Sequence, residues 1–589
     1  MVRFDIPQRA RPGPASFDTR PAQVRAWLAA LPTANLGETC RQLYGALRDV
    51  NRLDIPSSQR FRFLESVRPV LTTALEAMAR HYVGRTFPLP EKSRKVAQLA
   101  QALNRELSVG YILVVDDEGH RGRLRRDGRM LAVSTHRALR SLGQLLLTAY
   151  RVYAPYPPGI WHQLHALYGS AETQGLTNSR VRDETYTGIR QARVADAYKQ
   201  ALLLALACPY RLRQGEAEQV HQALEVWAPR ARLARVADEP QNPSGVFVAD
   251  LASDDAPSYL ALRPGGYQGD RCRLLDTAEL ADTVRGELTR GPGGGAAGTR
   301  RLPEAVLRRL MLAWGVMPKR RFPRTRKHST VMVATGLSAA HFFISGEIAF
   351  VPPDQAGGEE PVFDRPARFK VRPTTAERQH TPDVWDLYAR PPEPPSATGD
   401  EVMETADHDD GSVTYQADTW KMINVSAGGY CLLWDSAESS GAQVGELVAI
   451  REVDEPDAFH WRLGVVRWMK CVEREGLQLG VQMIAPGAVG VGIKLKRTDG
   501  TCGDYMRGLL LPEIRALGQP ASLLTPALPY RVNETVLVFS HGTEKPVRLT
   551  GLVENTGTFA QFHFMPQAGP AAGSRPSDPT DFDGLWESI

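Results

Sequence analysis

Apolar residues recur every three or four positions through the first 235 residues, the spacing that keeps side chains on one helix face. Leu36, Cys40, Leu43, Leu47 and Val50 form one stripe. Phe61, Leu64, Val67, Leu71, Leu75 and Met78 form a second after the cap-like Ser57, with Pro69 placed to kink or split it. Val96 to Leu107, Leu139 to Tyr153, Val194 to Leu204 and Val220 to Trp227 mark four more. Six amphipathic helices must bury their stripes on one another, which predicts a helical bundle over 1–235.

The period then changes. Gly245–Leu251, Ser258–Arg263 and Arg271–Leu275 read as short strands, with a helix over Thr277–Leu288. The run Gly291–Gly298 is a flexible break, so 236–300 reads as a small α/β segment with a Gly-rich linker. Pro303 opens a helix whose Val306, Leu310, Met311 and Trp314 face inward. From Ser329 the segments are short and rich in Val, Leu, Trp and Tyr: Ser329–Ala334, Tyr430–Trp434, Glu446–Arg451, Trp461–Lys470 and Leu477–Ile484. That spacing predicts a small antiparallel barrel drawn from 301–350 and 419–486. His341 lies in an apolar, strand-like run and reads as a packed histidine. Val489–Leu495, Tyr530–Phe539, Pro546–Val553 and Thr558–Phe564 predict a second β-domain over 487–568, with a helical insert near Leu509–Leu517. The fold class is therefore multidomain α+β: an N-terminal all-α bundle, an antiparallel β-barrel, then a second small β-domain.

Composition sharpens this outline. Ten prolines between Pro352 and Pro395, followed by an acidic stretch over 400–410, cannot sustain a core, so 351–418 reads as a disordered insertion. The tail 569–589 reads as flexible, and its Phe582-Asp583-Gly584-Leu585-Trp586 suits docking to a partner groove. The net charge of +5 on 589 residues is too small for a wholly basic surface. The six cysteines stand singly, without zinc spacing, and read as reduced thiols of a cytoplasmic protein. The first residues lack the apolar core of a signal peptide, and no uncharged run is apolar enough to span a membrane; Val152–Ala171 is interrupted by prolines. No P-loop, HExxH or GxSxG pattern occurs, so no catalytic centre and no metal site is expected. Asp407-His408-Asp409-Asp410 reads as loose solvated charge.

Two segments hold candidate binding chemistry. Six of the nine residues from Lys319 to Lys327 are Lys or Arg. Such a segment can grip a phosphodiester through forked Arg contacts, or serve as a solvated linker. Asn424 and Ser426 alternate, so both can face one side of an extended segment, and Gly428 and Gly429 then permit a tight turn or a hairpin entry.

Arg320 and Arg324 make an R-x-x-x-R pattern, and Asn424, Ser426 and Gly429 make D/N-x-S-x-x-G. In these residues, and in the strands after Gly429, the chain resembles the PilZ domain, the bacterial receptor module for cyclic di-GMP. The resemblance covers about 319–350 and 419–486. It implies a six-stranded barrel and cyclic di-GMP as ligand. It further implies phosphate and guanine contacts from Arg320 and Arg324 with help from Arg321, guanine-edge contacts from Asn424 and Ser426, and close approach at Gly428 and Gly429. A non-enzymatic receptor that couples nucleotide binding to interdomain rearrangement, and to a protein partner through the helical region or tail, follows. The alternatives are a ligand-independent scaffold with a degenerate barrel, and a nucleic-acid binder using Lys319–Lys327. The separation of Arg324 from Asn424 by 100 positions departs from the PilZ pattern. Excising 352–418 would restore a normal gap. Gly357-Gly358-Glu359-Glu360 is similar to the diguanylate cyclase signature but is followed by Pro361 where that signature has Phe, so cyclase activity is not expected.

Overall fold

The computed structural model describes residues 4–121, 126–235, 244–262, 269–289, 302–315, 323–352, 415–453, 460–472, 475–497, 499–514, 518–540 and 542–567. These form two units. The first holds the described residues up to 315, with 436–439 and 468–478; the second holds the remainder.

Helices α1 (Pro21–Ala29), α2 (Leu36–Asn51), α3 (Ser57–Ala79), α4 (Glu91–Gly119), α5 (Gly128–Arg151) and α6 (Ile160–Thr173) open the first unit. Strands β1 (Arg180–Arg182) and β2 (Gln191–Arg193) pair antiparallel, and α7 (Val194–Leu206) and α8 (Glu216–Trp227) follow. Local capping sets several starts. The Asn35 side chain accepts the Glu38 N–H at 3.1 Å, and Asp127 accepts the Met130 N–H at 2.9 Å. Helix α3 runs through Pro69 without splitting. Helix α6, absent from the six predicted stripes, begins just after Pro157 and Pro158, so those prolines bound it rather than break it.

Helix α5 is buried almost all the way round, so its polar residues need internal partners. Arg137 meets Asp183 at 2.7 Å, and Arg140 donates to Gln200 Oε1 at 2.7 Å and faces Glu225 at 3.4 Å. Burial would raise the Asp183 carboxyl, but Arg137 and Arg68 outweigh it and hold the group well below the usual carboxylate range.

A four-stranded sheet completes this unit, with β3 (Arg232–Arg235), β4 (Val246–Asp250), β5 (Ser258–Tyr259) and β6 (Cys272–Asp276) in the order β3-β6-β4-β5. Residues 232–235, assigned by pattern to the bundle, are an edge strand of this sheet. Helices α9 (Ala278–Thr289) and α10 (Glu304–Trp314) follow. Pattern alone grouped α10 with the barrel, yet it packs in the first unit. Its Trp314 Nε1 donates to the Leu203 carbonyl at 3.0 Å, and the Trp314 carbonyl accepts from Thr277 Oγ1 at 2.5 Å.

Two closed six-stranded antiparallel barrels account for most of the second unit, the first of them also including the described residues of 468–478. The first comprises β7 (Thr325–Thr335), β8 (Ala417–Ser426), β9 (Gly429–Trp434), β10 (Leu447–Glu452), β11 (Arg462–Val472) and β12 (Gly476–Ala485) in the order β10-β11-β12-β9-β8-β7. The second comprises β13 (Val489–Lys496), β14 (Met506–Leu511), β15 (Ser522–Pro526), β16 (Thr535–Ser540), β17 (Thr543–Asn555) and β18 (Phe559–Pro566) in the order β13-β14-β15-β18-β17-β16. The helical insert expected near Leu509–Leu517 is instead β14 as far as Leu511, and 515–517 lie outside the described residues.

Helix α11 (Leu337–Ile344) follows β7, where the apolar run reads as strand. Its Ala339, Ala340 and Phe343 share one core with Leu447, Leu463 and Trp461 of the first barrel and with Leu509, Leu524 and Phe559 of the second. His341 is buried on this helix, and burial followed by the nearby Arg507 charge pulls its ring down to about 4. Among the described residues no helix is long and apolar enough to cross a membrane, and no group of metal-ligating side chains forms a site. Of the insertion expected over 351–418, residues 353–414 lie outside the described residues, whereas Ala417 and Asp418 open β8 and pair with Ala334 and Val333, so they belong to the barrel. The Gly-rich linker, the Asp407–Asp410 run and the C-terminal Phe582–Trp586 lie outside the described residues.

Candidate functional site

The site is built from three neighbouring strands. β7 pairs antiparallel with β8, with Thr325 opposite Val425 and Arg326 opposite Asn424. β8 pairs with β9, with Asn424 opposite Cys431 and Ser426 opposite Gly429. Residues directly opposite in a ladder send their side chains to the same face. Arg326, Asn424 and Cys431 therefore form one row across the three strands. Ser426 and Gly429 form the next, and the register carries Arg324 to the end of that row. Strand spacing is about 4.8 Å and alternate residues along a strand lie about 6.8 Å apart, so the two rows outline a patch of nucleotide size.

A register shift between Met422 and Asn424 aims this patch. Met422 is buried opposite the fully buried Leu432. With regular alternation Asn424, two residues on, would share that inward face. One extra residue, Ile423, turns Asn424 and Ser426 to the other side, as a β-bulge does. Asn424 and Ser426 are half-buried, while Arg324 and Arg326 are exposed.

Ala427 and Gly428 form the two-residue connection between β8 and β9. The Gly428 carbonyl accepts the Met483 N–H at 3.1 Å, and Ser426 Oγ donates to the Gly429 carbonyl at 3.3 Å. Gly429 has φ +153°, and a Cβ there would land on the Val481 carbonyl oxygen of β12. The hairpin-entry reading of this segment is thus correct, and the glycine lets β9 lie against β12. The same hairpin presents Asn424 and Ser426.

The surroundings are basic but not uniformly free. Lys327 pairs with Glu452, a buried carboxylate that also takes Arg462 Nη1 at 3.0 Å, and Arg462 donates to Tyr430 OH at 3.0 Å. Sequence patterns gave no sign of this network, because its members come from four strands. Burial raises the Cys431 thiol, against the opposing pull of the Arg324 charge and of a hydrogen bond with the Asn424 side chain. Arg320 and Arg321 lie outside the described residues. The face thus offers guanidinium forks for anionic oxygens next to a carboxamide and a hydroxyl able to read a heterocycle edge.

Three family models match consecutive stretches of the chain. Residues 22–239 match the N-terminal domain of the cyclic-di-GMP receptor FimW, 246–489 its middle PilZ domain, and 491–566 its C-terminal β-barrel domain. The cyclic-di-GMP receptor FimW of Pseudomonas aeruginosa is 32% identical over 595 residues, covering 97% of this chain and 96% of that protein. No solved structure matches the chain significantly.

Proposed function

The chain belongs to the FimW family of cyclic-di-GMP receptors, and on that premise we propose that it is a non-enzymatic receptor for cyclic di-GMP whose ligand sits on the β7–β8–β9 face. One observation carries the reading. The β7–β8 pairing supports it, because Arg324 adjoins Thr325, which pairs with Val425 between Asn424 and Ser426, although Arg324 and Asn424 are 100 positions apart in sequence. Cyclic di-GMP presents two anionic phosphodiesters and two flat purines. Arg320 and Arg324, assisted by Arg321, hold phosphates and stack on guanine, because a guanidinium plane suits both. Asn424 and Ser426 hydrogen-bond guanine edges, and Gly428 and Gly429 keep the hairpin low enough for the ligand to approach.

Ligand binding engages the basic segment Lys319–Lys327, which joins the helical unit to the barrel unit. Occupancy thereby biases their arrangement and the availability of a protein-binding surface on the helical region or the tail. The working compartment is the cytoplasm, which suits six free cysteines. Isothermal titration of cyclic di-GMP into the full chain tests the reading. The wild type is expected to bind, and Arg320→Ala/Arg324→Ala to lose at least about tenfold in affinity, since one charged hydrogen bond contributes about 1.5–3 kcal/mol. Absence of heat with wild type, or equal binding by the double variant, would sink it.

A further inference from the structure

Arg326 stands two positions beyond Arg324, past the end of the R-x-x-x-R pattern, and neither motif uses it. Yet β7 pairs it directly with Asn424. Its Cα is therefore about 4.5–5.5 Å from that of Asn424, and both side chains leave the same face. Arg326 is exposed. Among the described residues no carboxylate, carbonyl or ring engages its guanidinium. The adjacent cation differs, because Lys327 is held by Glu452. An unengaged guanidinium at the end of a row that also holds a base-reading carboxamide is placed for an anionic group on the same ligand.

We infer that Arg326 is a further ligand-contacting residue, gripping a phosphodiester of the cyclic dinucleotide whose base meets Asn424. The inference rests on the receptor reading above. Its chemistry is that of a forked donor: the planar guanidinium can give two parallel N–H bonds to two phosphate oxygens, which a lysine ammonium cannot. Arg326 thus supplies a phosphate contact from inside the barrel ladder, where strand pairing fixes its backbone.

The test is isothermal titration of cyclic di-GMP into the full chain as wild type, Arg326→Ala, Arg326→Lys and Lys421→Ala. Lys421 is an exposed β8 residue paired with Asp435, and it controls for general loss of positive charge. Arg326→Ala is expected to weaken binding about tenfold to a hundredfold. Arg326→Lys should fall between wild type and the alanine variant, and Lys421→Ala should stay within about twofold of wild type. Thermal midpoints should not move for Arg326→Ala, so that a loss of affinity reports contact rather than folding. If wild type binds and Arg326→Ala binds within twofold of it, Arg326 is not a contact and the receptor reading stands. A loss with Lys421→Ala equal to that with Arg326→Ala would reduce the effect to diffuse charge and also overturn the contact. A wild-type chain that takes up no cyclic di-GMP overturns both.

Discussion

Gly429 shows why a motif position can carry two demands at once. Its φ of +153° disfavours a side chain, and its Cα faces the Val481 carbonyl oxygen. Gly429→Ala is expected to destabilise the barrel unit by roughly 2 kcal/mol or more, read as a lowered urea midpoint. Asn424→Ala should instead weaken ligand affinity with little change in that midpoint, because Asn424 is only half-buried. The glycine was legible in the sequence as part of a pattern. Its reason was not, because the atom it avoids belongs to a strand far along the chain. The helical unit holds a different residue-scale feature. His136 is fully buried, with Nε2 2.9 Å from Tyr186 OH, and burial pulls its ring down to about 3. Burial lowers His165 and His221 in the same sense. These rings take up a proton less readily in the native state than in the unfolded chain, so below about pH 6.5 the unfolded state binds the extra protons. Stability is therefore whole above about pH 6.5 and falls as the pH drops below it, by up to about 1.4 kcal/mol per pH unit for each such ring. Urea melts followed by far-ultraviolet circular dichroism at pH 7.5 and 5.5 should show this fall. His136→Gln should lessen it, and an unchanged slope would remove His136 from the account.

At the scale of elements, strongly periodic stretches were readable and context-dependent ones were not. Helices α2, α5 and α7 follow their apolar stripes because each buries that stripe within the unit. Helices α1 and α6 and strands β3, β8, β14 and β15 were missed or cut short, since a short element takes its state from the neighbours it pairs with. β8 matters most. Pattern marked only its last residues, whereas it runs from Ala417 to Ser426 and pairs Ala417 with Ala334 at the end of β7. The residues between 352 and 415 therefore join the barrel at the end of β8 remote from the Asn424 row. About seven residues at about 3.3 Å each separate Ala417 from Asn424, or roughly 23 Å. Replacing 353–414 by a short Gly/Ser linker is accordingly expected to leave cyclic di-GMP affinity within about threefold of the full chain by calorimetry. Loop closure entropy changes only logarithmically with length, so the barrel should also retain its stability. A loss of binding in that deletion would place ligand contacts in the insertion instead.

At the scale of the whole molecule, the two barrels are not independent beads. Helix α11 lies in a core to which both contribute, with Phe343 centred 5.0 Å from the Trp461 ring. A fragment limited to 489–567 would leave Leu509, Leu511, Leu524 and Phe559, all buried in the full chain, without their cover. Such a fragment is expected to aggregate or melt well below the barrel unit, and Phe343→Ala in the full chain to cost about 3–5 kcal/mol. Scanning calorimetry checks both, and a fragment as stable as the barrel unit would separate the barrels. The sequence by itself determined the class of each region, because hydrophobic period and turn chemistry are local properties. It also determined the types of side chain available to a nucleotide. Tertiary structure decided which of them meet. Only strand pairing brings Arg326 opposite Asn424, only a bulge at Ile423 turns Asn424 and Ser426 outward, and only packing assigns α10 to the helical unit. Those choices depend on contacts between residues distant along the chain, which neither periodicity nor motif spacing encodes.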